Sequence, residues 1–215
     1  EKDISSSQEI SLTAHLNRRL FSNKLPFTSG GTVEFERLAP GLGARTVINS
    51  RLRNKPIRWI AGADLSHQRD DRKRFDNNNG IKGSQTLDRF ETVTSIGPYL
   101  RAEWQYLPRI ELVAGIRYDH VEFDLEDNFL SDGDQSGSKT LSEWSGTLGA
   151  VYHFNKSLHG YANIATAFET PTTTELANDP SGGSGFNQNL DSQLSVSYEV
   201  GLKERIGNRM DYDLA

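Results

Sequence analysis

Apolar and polar side chains alternate residue by residue along this chain, over runs too long for most folds. Ile57, Trp59, Ala61, Ala63 and Leu65 share one face, with Arg58, Gly62, Asp64 and Ser66 on the other and Ile60 the exception. The pattern recurs through Ile96, Pro98, Leu100, Ala102, Trp104 and Tyr106, then through Ile110, Leu112, Ala114, Ile116 and Tyr118. It returns in Trp144, Gly146, Leu148, Ala150, Tyr152 and Phe154, and again in Leu194, Val196, Tyr198, Val200 and Leu202. Successive side chains of a strand point to opposite faces, so a period of two marks strands with one apolar side. Weaker strands at Ser11–Leu20, Leu42–Leu52, Leu158–Phe168 and Arg209–Ala215 bring the expected number to about nine.

Strand length decides between two architectures. An apolar face of about five residues needs roughly ten residues of strand, the span of a tilted membrane strand. A soluble antiparallel sandwich would alternate in the same way, but its strands usually run about five or six residues. The connections point the same way. Those at 53–56, 106–108, 155–156 and 206–208 are short, and those at 70–90, 126–140 and 170–193 are long and polar. Short turns at one end and long loops at the other are the habit of an outer-membrane barrel. Trp59, Trp104, Tyr106, Tyr118, Trp144, Tyr152 and Phe154 sit near the ends of the apolar faces, as interfacial girdles do. The expected fold is all-β: an antiparallel up-and-down transmembrane β-barrel segment, about nine strands of a larger barrel, with no plug in this chain. The soluble sandwich is the alternative. Past Tyr118 the apolar phase switches to Val121, Phe123 and Leu125. Either a bulge lies there or the strand has left the membrane, and we expect the second.

Composition closes several classes. Lys and Arg total 24 against 29 Asp and Glu, a net charge of −5, which is no footprint for a nucleic-acid binder. With no Cys, a thiolate zinc site and a Cys nucleophile are excluded. His15, His67, His120, His153 and His159 lack ligand spacing, so solvated or interfacial histidines are expected and no metal or cofactor. The acidic stretch 126–134 lacks the spacing of a calcium loop. The charges Arg101, Glu103, Arg109, Glu111, Arg117 and Asp119 come without a nucleophile elbow or Ser/His/Asp order. They read as lumen charges rather than a catalytic set, and no enzyme is expected. The chain opens Glu1-Lys2-Asp3 and ends within an alternating pattern, which reads as an internal piece of a longer protein.

Three motifs narrow the barrel further. Leu112–Asp119 carries Gly115-Ile116-Arg117-Tyr118-Asp119. Tyr161-Ala162-Asn163 is followed by Phe168-Glu169-Thr170-Pro171 and Glu175-Leu176. Asn187-Gln188-Asn189-Leu190 precedes Ser197-Tyr198-Glu199-Val200-Gly201-Leu202-Lys203. In this order they resemble the G-x-R-Y-D, Y-x-N…F-x-x-P…E-L and N-P-N-L…Y-E-x-G-x-K stretches of TonB-dependent outer-membrane receptors of the siderophore type. The likeness is good over 57–215 and loose before. Gln188 and Asp191-Ser192 depart from the usual Pro and Pro-Glu, a departure confined to one loop.

The resemblance implies the central part of a receptor barrel, residues 1–215 forming one partial barrel domain. It implies import of a scarce nutrient such as a ferric siderophore across the outer membrane of a Gram-negative bacterium. Outer-membrane lipid and lipopolysaccharide, an iron chelate, and the TonB system acting through an N-terminal part outside this chain are the implied partners. A passive porin-like channel and a soluble β-sheet binding or adhesion module remain the alternatives. Ligand contacts are expected at the long-loop end. Arg72, Lys73 and Arg74 are candidates for attracting an anionic chelate, against a solvated loop or lipopolysaccharide phosphates. Asp119, Glu143, Tyr99 and Glu169 qualify by phase and height.

Overall fold

A computed structural model describes residues 2–5, 8–24, 31–177, 187–206 and 210–215, with only the backbone at 2–5 and 206. Its strands are β1 (Lys2–Ser5), β2 (Gln8–Lys24), β3 (Thr32–Leu52), β4 (Lys55–Asn78), β5 (Ile81–Leu107), β6 (Ile110–Asp127), β7 (Gly137–His153), β8 (Leu158–Glu169), β9 (Gln193–Ile206) and β10 (Met210–Leu214). They form one sheet in sequence order, each antiparallel to the next. The additional strand over the expected nine is the four-residue β1. No second sheet faces this one among the described residues, and Trp144 is 64% exposed, so the sandwich is excluded.

The strands are longer than the alternation alone suggested, and the reason is turn chemistry. β4 runs for 24 residues and β5 for 27, joined across Asn78↔Ile81 by the two residues Asn79 and Gly80. Both have positive φ, 53° and 90°, the geometry of a type I′ hairpin. Asn77 Oδ1 accepts from Gly80 N at 2.7 Å. The expected loop at 70–90 is therefore a projecting hairpin. Its side chains are polar on both faces, which is why composition read as loop. Arg53 and Asn54, with φ 49° and 62°, make the corresponding turn at the other end, and Pro108-Arg109 joins β5 to β6.

One face is apolar and unpartnered. Leu12, Leu16, Leu20, Leu42, Leu65, Ile96, Leu100, Ile116, Leu148, Val196 and Leu202 are exposed on it. From Ile110 to Tyr118 it spans nine residues, eight steps of about 3.3 Å or about 26 Å of strand, close to the apolar band of a membrane barrel. Ring pairs close the band at both ends. Tyr118 meets Trp144 at 4.9 Å at the long-connection end; Trp104–Tyr106 and Tyr152–Phe154, at 4.9 and 4.8 Å, lie at the short-turn end. Ile57, on the apolar face, is only 4% exposed: it stands opposite Trp104, and directly paired side chains on one face lie close enough for the indole to shield it.

The hydrophobic core lies on the other face, at the long-connection end. Val121, Phe123, Leu125 and Leu141 are buried there with Leu176, which is 0% exposed. β6 stays in unbroken register with β7 through this region, so no bulge causes the change of phase. A segment packs instead: the short helix α1 (Thr173–Leu176) and Leu190 lie against these side chains. Thr172 caps α1 reciprocally with Glu175. Asn187 N donates to Leu176 O, returning the chain to the sheet. The connection expected at 170–193 is thus structured where described, while 178–186 lie outside the described residues.

Candidate ligand-facing surface

Strand alternation sends every second residue of β2–β9 to the polar face, and the pairing register stacks these residues into rows. One row joins Asp64, Gly97, Asp119 and Glu143, and the next joins Gly62, Tyr99, Arg117 and Ser145. Arg117 bridges them: its Nη1 donates to Asp64 at 2.8 Å, and its Nε and Nη2 meet Asp119 at 2.8–2.9 Å. The guanidinium also lies 5.7 Å from the Tyr99 ring centre. Gly97 and Gly62 permit this, because a Cβ at Gly97 would occupy the guanidinium's position and one at Gly62 would strike the Tyr99 phenol. One guanidinium therefore pairs with two carboxylates, Asp64 and Asp119, and Glu143 stands beside Asp119 in its row.

Nearer the long-connection end, the same face carries a buried charge network. Arg37 grips Asp70 with two bonds, Nε–Oδ1 at 2.8 Å and Nη2–Oδ2 at 2.7 Å. Arg89 donates to Glu91 Oε1, and Arg72 Nε lies 3.0 Å from the same oxygen as an ion pair without hydrogen-bond alignment. Thr173 of α1 donates to Glu91 Oε2 at 2.8 Å. Asp70 and Glu91 are both 0% exposed. Buried carboxylates are tolerable only when paired and hydrogen-bonded, and here the guanidiniums and the Thr173 hydroxyl supply the partners. The network fastens α1 to the wall. Outside the strands, Glu175 accepts from Thr172 N and Oγ1, which holds its carboxyl below the ordinary range. Asp134, accepting from Ser136, is lowered in the same way.

The expected residues divide. Arg72 and Arg74 point to the polar face, but Lys73 points to the opposite one, where it pairs with Asp71 at 3.4 Å. Adjacent strand residues cannot share a face, so the three do not form one cluster, and Arg72 is committed to Glu91 and Asp70. Arg74 has no ion pair among the described residues. Tyr99 and Asp119 come together around Arg117, and Glu143 is the ladder neighbour of Asp119. Glu169 ends β8 on the polar face, exposed and apart from them. Sequence reasoning missed Arg37, Asp70, Arg89, Glu91 and Thr173; Glu91 and Thr173 are 82 positions apart, so only the fold joins them.

The sequence matches the family described as TonB dependent receptor-like, beta-barrel, over residues 7–215. Solved structures align with nearly the whole chain. The ferric citrate transporter FecA, in its unliganded form, gives a TM-score of 0.81 at 14% identity, covering 94% of this chain and 30% of FecA. The siderophore receptor PiuA from Acinetobacter baumannii gives 0.73 at 16% identity, covering 96% and 36%. The copper transporter OprC gives 0.62 at 14% identity, covering 95% and 34%. This chain spans about a third of the length of these proteins. At such identities the likeness is one of fold, and the names attached to that fold include both iron and copper cargo.

Proposed function

This chain belongs to the TonB-dependent receptor β-barrel family, and from that premise we propose that it is the central wall of an outer-membrane receptor that imports a scarce nutrient, an iron chelate, with energy drawn through TonB. In this reading the exposed leucine face meets lipid and the polar face lines the lumen. The hairpin 70–90 and the connections 128–136, 170–177 and 187–192 form the outward mouth where ligand enters. Ligand contacts come from polar-face residues below that mouth, Tyr99, Asp119 and Glu143 among them, with Glu169 at its rim and Arg74 free to attract an anion. TonB acts on a part of the receptor outside this chain. The carrying observation is the anchoring of α1 onto the polar face through Thr173–Glu91 and Leu176. A passive channel gains nothing from a segment held inward by a buried ion network, whereas a receptor gains a shaped contact surface.

The test uses the full-length receptor in a strain lacking its other iron receptors. Growth on a ferric chelate should require both this receptor and TonB, and the detergent-purified protein should bind that chelate saturably. Uptake that persists without TonB would establish a passive channel instead. Purification from the soluble fraction without detergent would establish a soluble module.

A further inference from the structure

The polar face of β2–β4 holds an aromatic and guanidinium patch separate from the Arg117 cluster. Phe21 and Phe35 stand directly opposite each other and stack, with ring centres 5.0 Å apart and planes 21° apart. Three guanidiniums crowd these rings: Arg19 lies 5.4 and 5.5 Å from the two centres, Arg37 lies 5.5 Å from Phe35, and Arg72 lies 5.2 Å from it. Arg19 is paired across the ladder with Arg37. Like charges directly opposite repel, and strands normally avoid the pairing. Arg37 is relieved by Asp70 and Arg72 by Glu91. Arg19 has no carboxylate partner among the described residues, and it is exposed.

The surroundings add no relief. On this face of β2–β5, from Arg19 up to Arg74, stand Arg19, Arg37, Arg72, Arg74 and Arg89 against Asp70 and Glu91, a balance of 5 − 2 = +3. Glu34, Glu36 and Asp71 project from the opposite face. Both buried carboxylates are already saturated by arginines, so an anion for Arg19 must come from outside the wall. The half-buried phenyl stack offers that anion an apolar surface beside the planar donor fork of exposed Arg19, which suits a ring bearing a carboxylate or phenolate.

We propose that Arg19, Phe21 and Phe35 form a subsite for an aromatic anionic group of the imported chelate, with Arg19 donating to its oxygens and the phenyl rings contacting its ring. The proposal rests on the receptor reading above and narrows its ligand to chelates with aromatic, negatively charged arms, such as a ferric tris-catecholate.

The experiment titrates the full-length receptor in detergent with three probes: an anionic ferric tris-catecholate, anionic ferric citrate and a neutral ferric trihydroxamate. The catecholate should bind tightest. Arg19→Gln should weaken it about tenfold, the size of one lost charge-assisted bond. Phe21→Leu should weaken the catecholate and leave ferric citrate unchanged, separating ring contact from charge. Arg19 and Phe21 sit outside the buried network, and heat-modifiable gel mobility verifies that each variant is folded. If the receptor binds and imports a probe but neither variant moves its affinity, the subsite is wrong while the receptor reading stands. The subsite is equally wrong if the neutral trihydroxamate binds tightest. If no probe binds and the receptor supports no TonB-dependent growth, the receptor reading fails and the subsite with it.

Discussion

The two halves of β6 follow one rule to opposite results. From Ile110 to Tyr118 the apolar side chains point to the unpartnered apolar face, and from Val121 to Leu125 they point to the polar face. The backbone is continuous through the change, and the period of two never breaks. What changes is the neighbour. Along the lower half nothing in the chain lies against either face among the described residues, so the apolar side stays exposed and the other carries Arg117 and Asp119. Along the upper half α1 and Leu190 lie against the polar face, and the apolar residues move there to meet them. Strand periodicity therefore fixes which residues share a side. What each side touches fixes which of them is apolar.

Substitutions can break either half separately. Phe123 is 3% exposed within the upper core, and Phe123→Ala should cost about 3–5 kcal/mol of local stability. The loss should appear as faster amide exchange in 172–177 and 187–190 of the intact receptor, with the lower apolar band unaffected. Equal loosening of both regions would mean they unfold as one unit. In the lower half, Leu148 is 60% exposed between Ala114 and Ile164. Leu148→Arg should cost roughly 2–4 kcal/mol in unfolding from micelles. Unchanged stability would show that this face does not meet lipid. Removing the link between wall and segment should cost less: Thr173→Val forfeits one bond to a buried carboxylate, about 1.5–3 kcal/mol. Exchange should again rise in α1, but the Phe123 side chain should keep its protection from solvent.

The same distinction explains what the sequence could tell. Faces were legible at once, because alternation is local, and so was the lower band with its ring pairs. The change of phase at Val121 was also visible, but Leu176, the residue that explains it, lies fifty-odd positions on. The hairpin at 79–80 was missed although Asn-Gly between two long runs is a strong turn signal. Charges on both faces of 70–90 hid the strands beside it. Grouping Arg72, Lys73 and Arg74 read proximity along the chain as proximity in space, which a strand forbids. The Arg37–Asp70 and Glu91–Thr173 contacts carry no local mark, since each depends on register set by distant turns. Phase and height alone place Asp119 and Glu143 on the polar face, in one row.

The smallest expected effect concerns how the upper half responds to acid. Glu175 closes the capping box of α1, accepting from Thr172 N at 2.7 Å and Thr172 Oγ1 at 2.9 Å. Those bonds favour the ionised carboxylate and lower its pKa in the folded state. A lowered pKa means that the folded state holds its proton less readily than the unfolded one. The stabilisation is then complete above the ordinary glutamate value of about 4.3 and fades as pH falls through the lower folded value. From neutral pH down to about 5, the Leu176 and Ala177 amides, which donate to Thr172 O and Thr173 O, should keep constant protection after correction for intrinsic exchange. Below about 4 their protection should fall. Glu175→Gln retains an acceptor without the charge, so its protection should be lower at neutral pH and flat through the acid range. The two profiles should converge at the lowest pH. If both fall together, the acid sensitivity of the mouth resides outside the capping box, and the upper half is held by its core and its arginines alone.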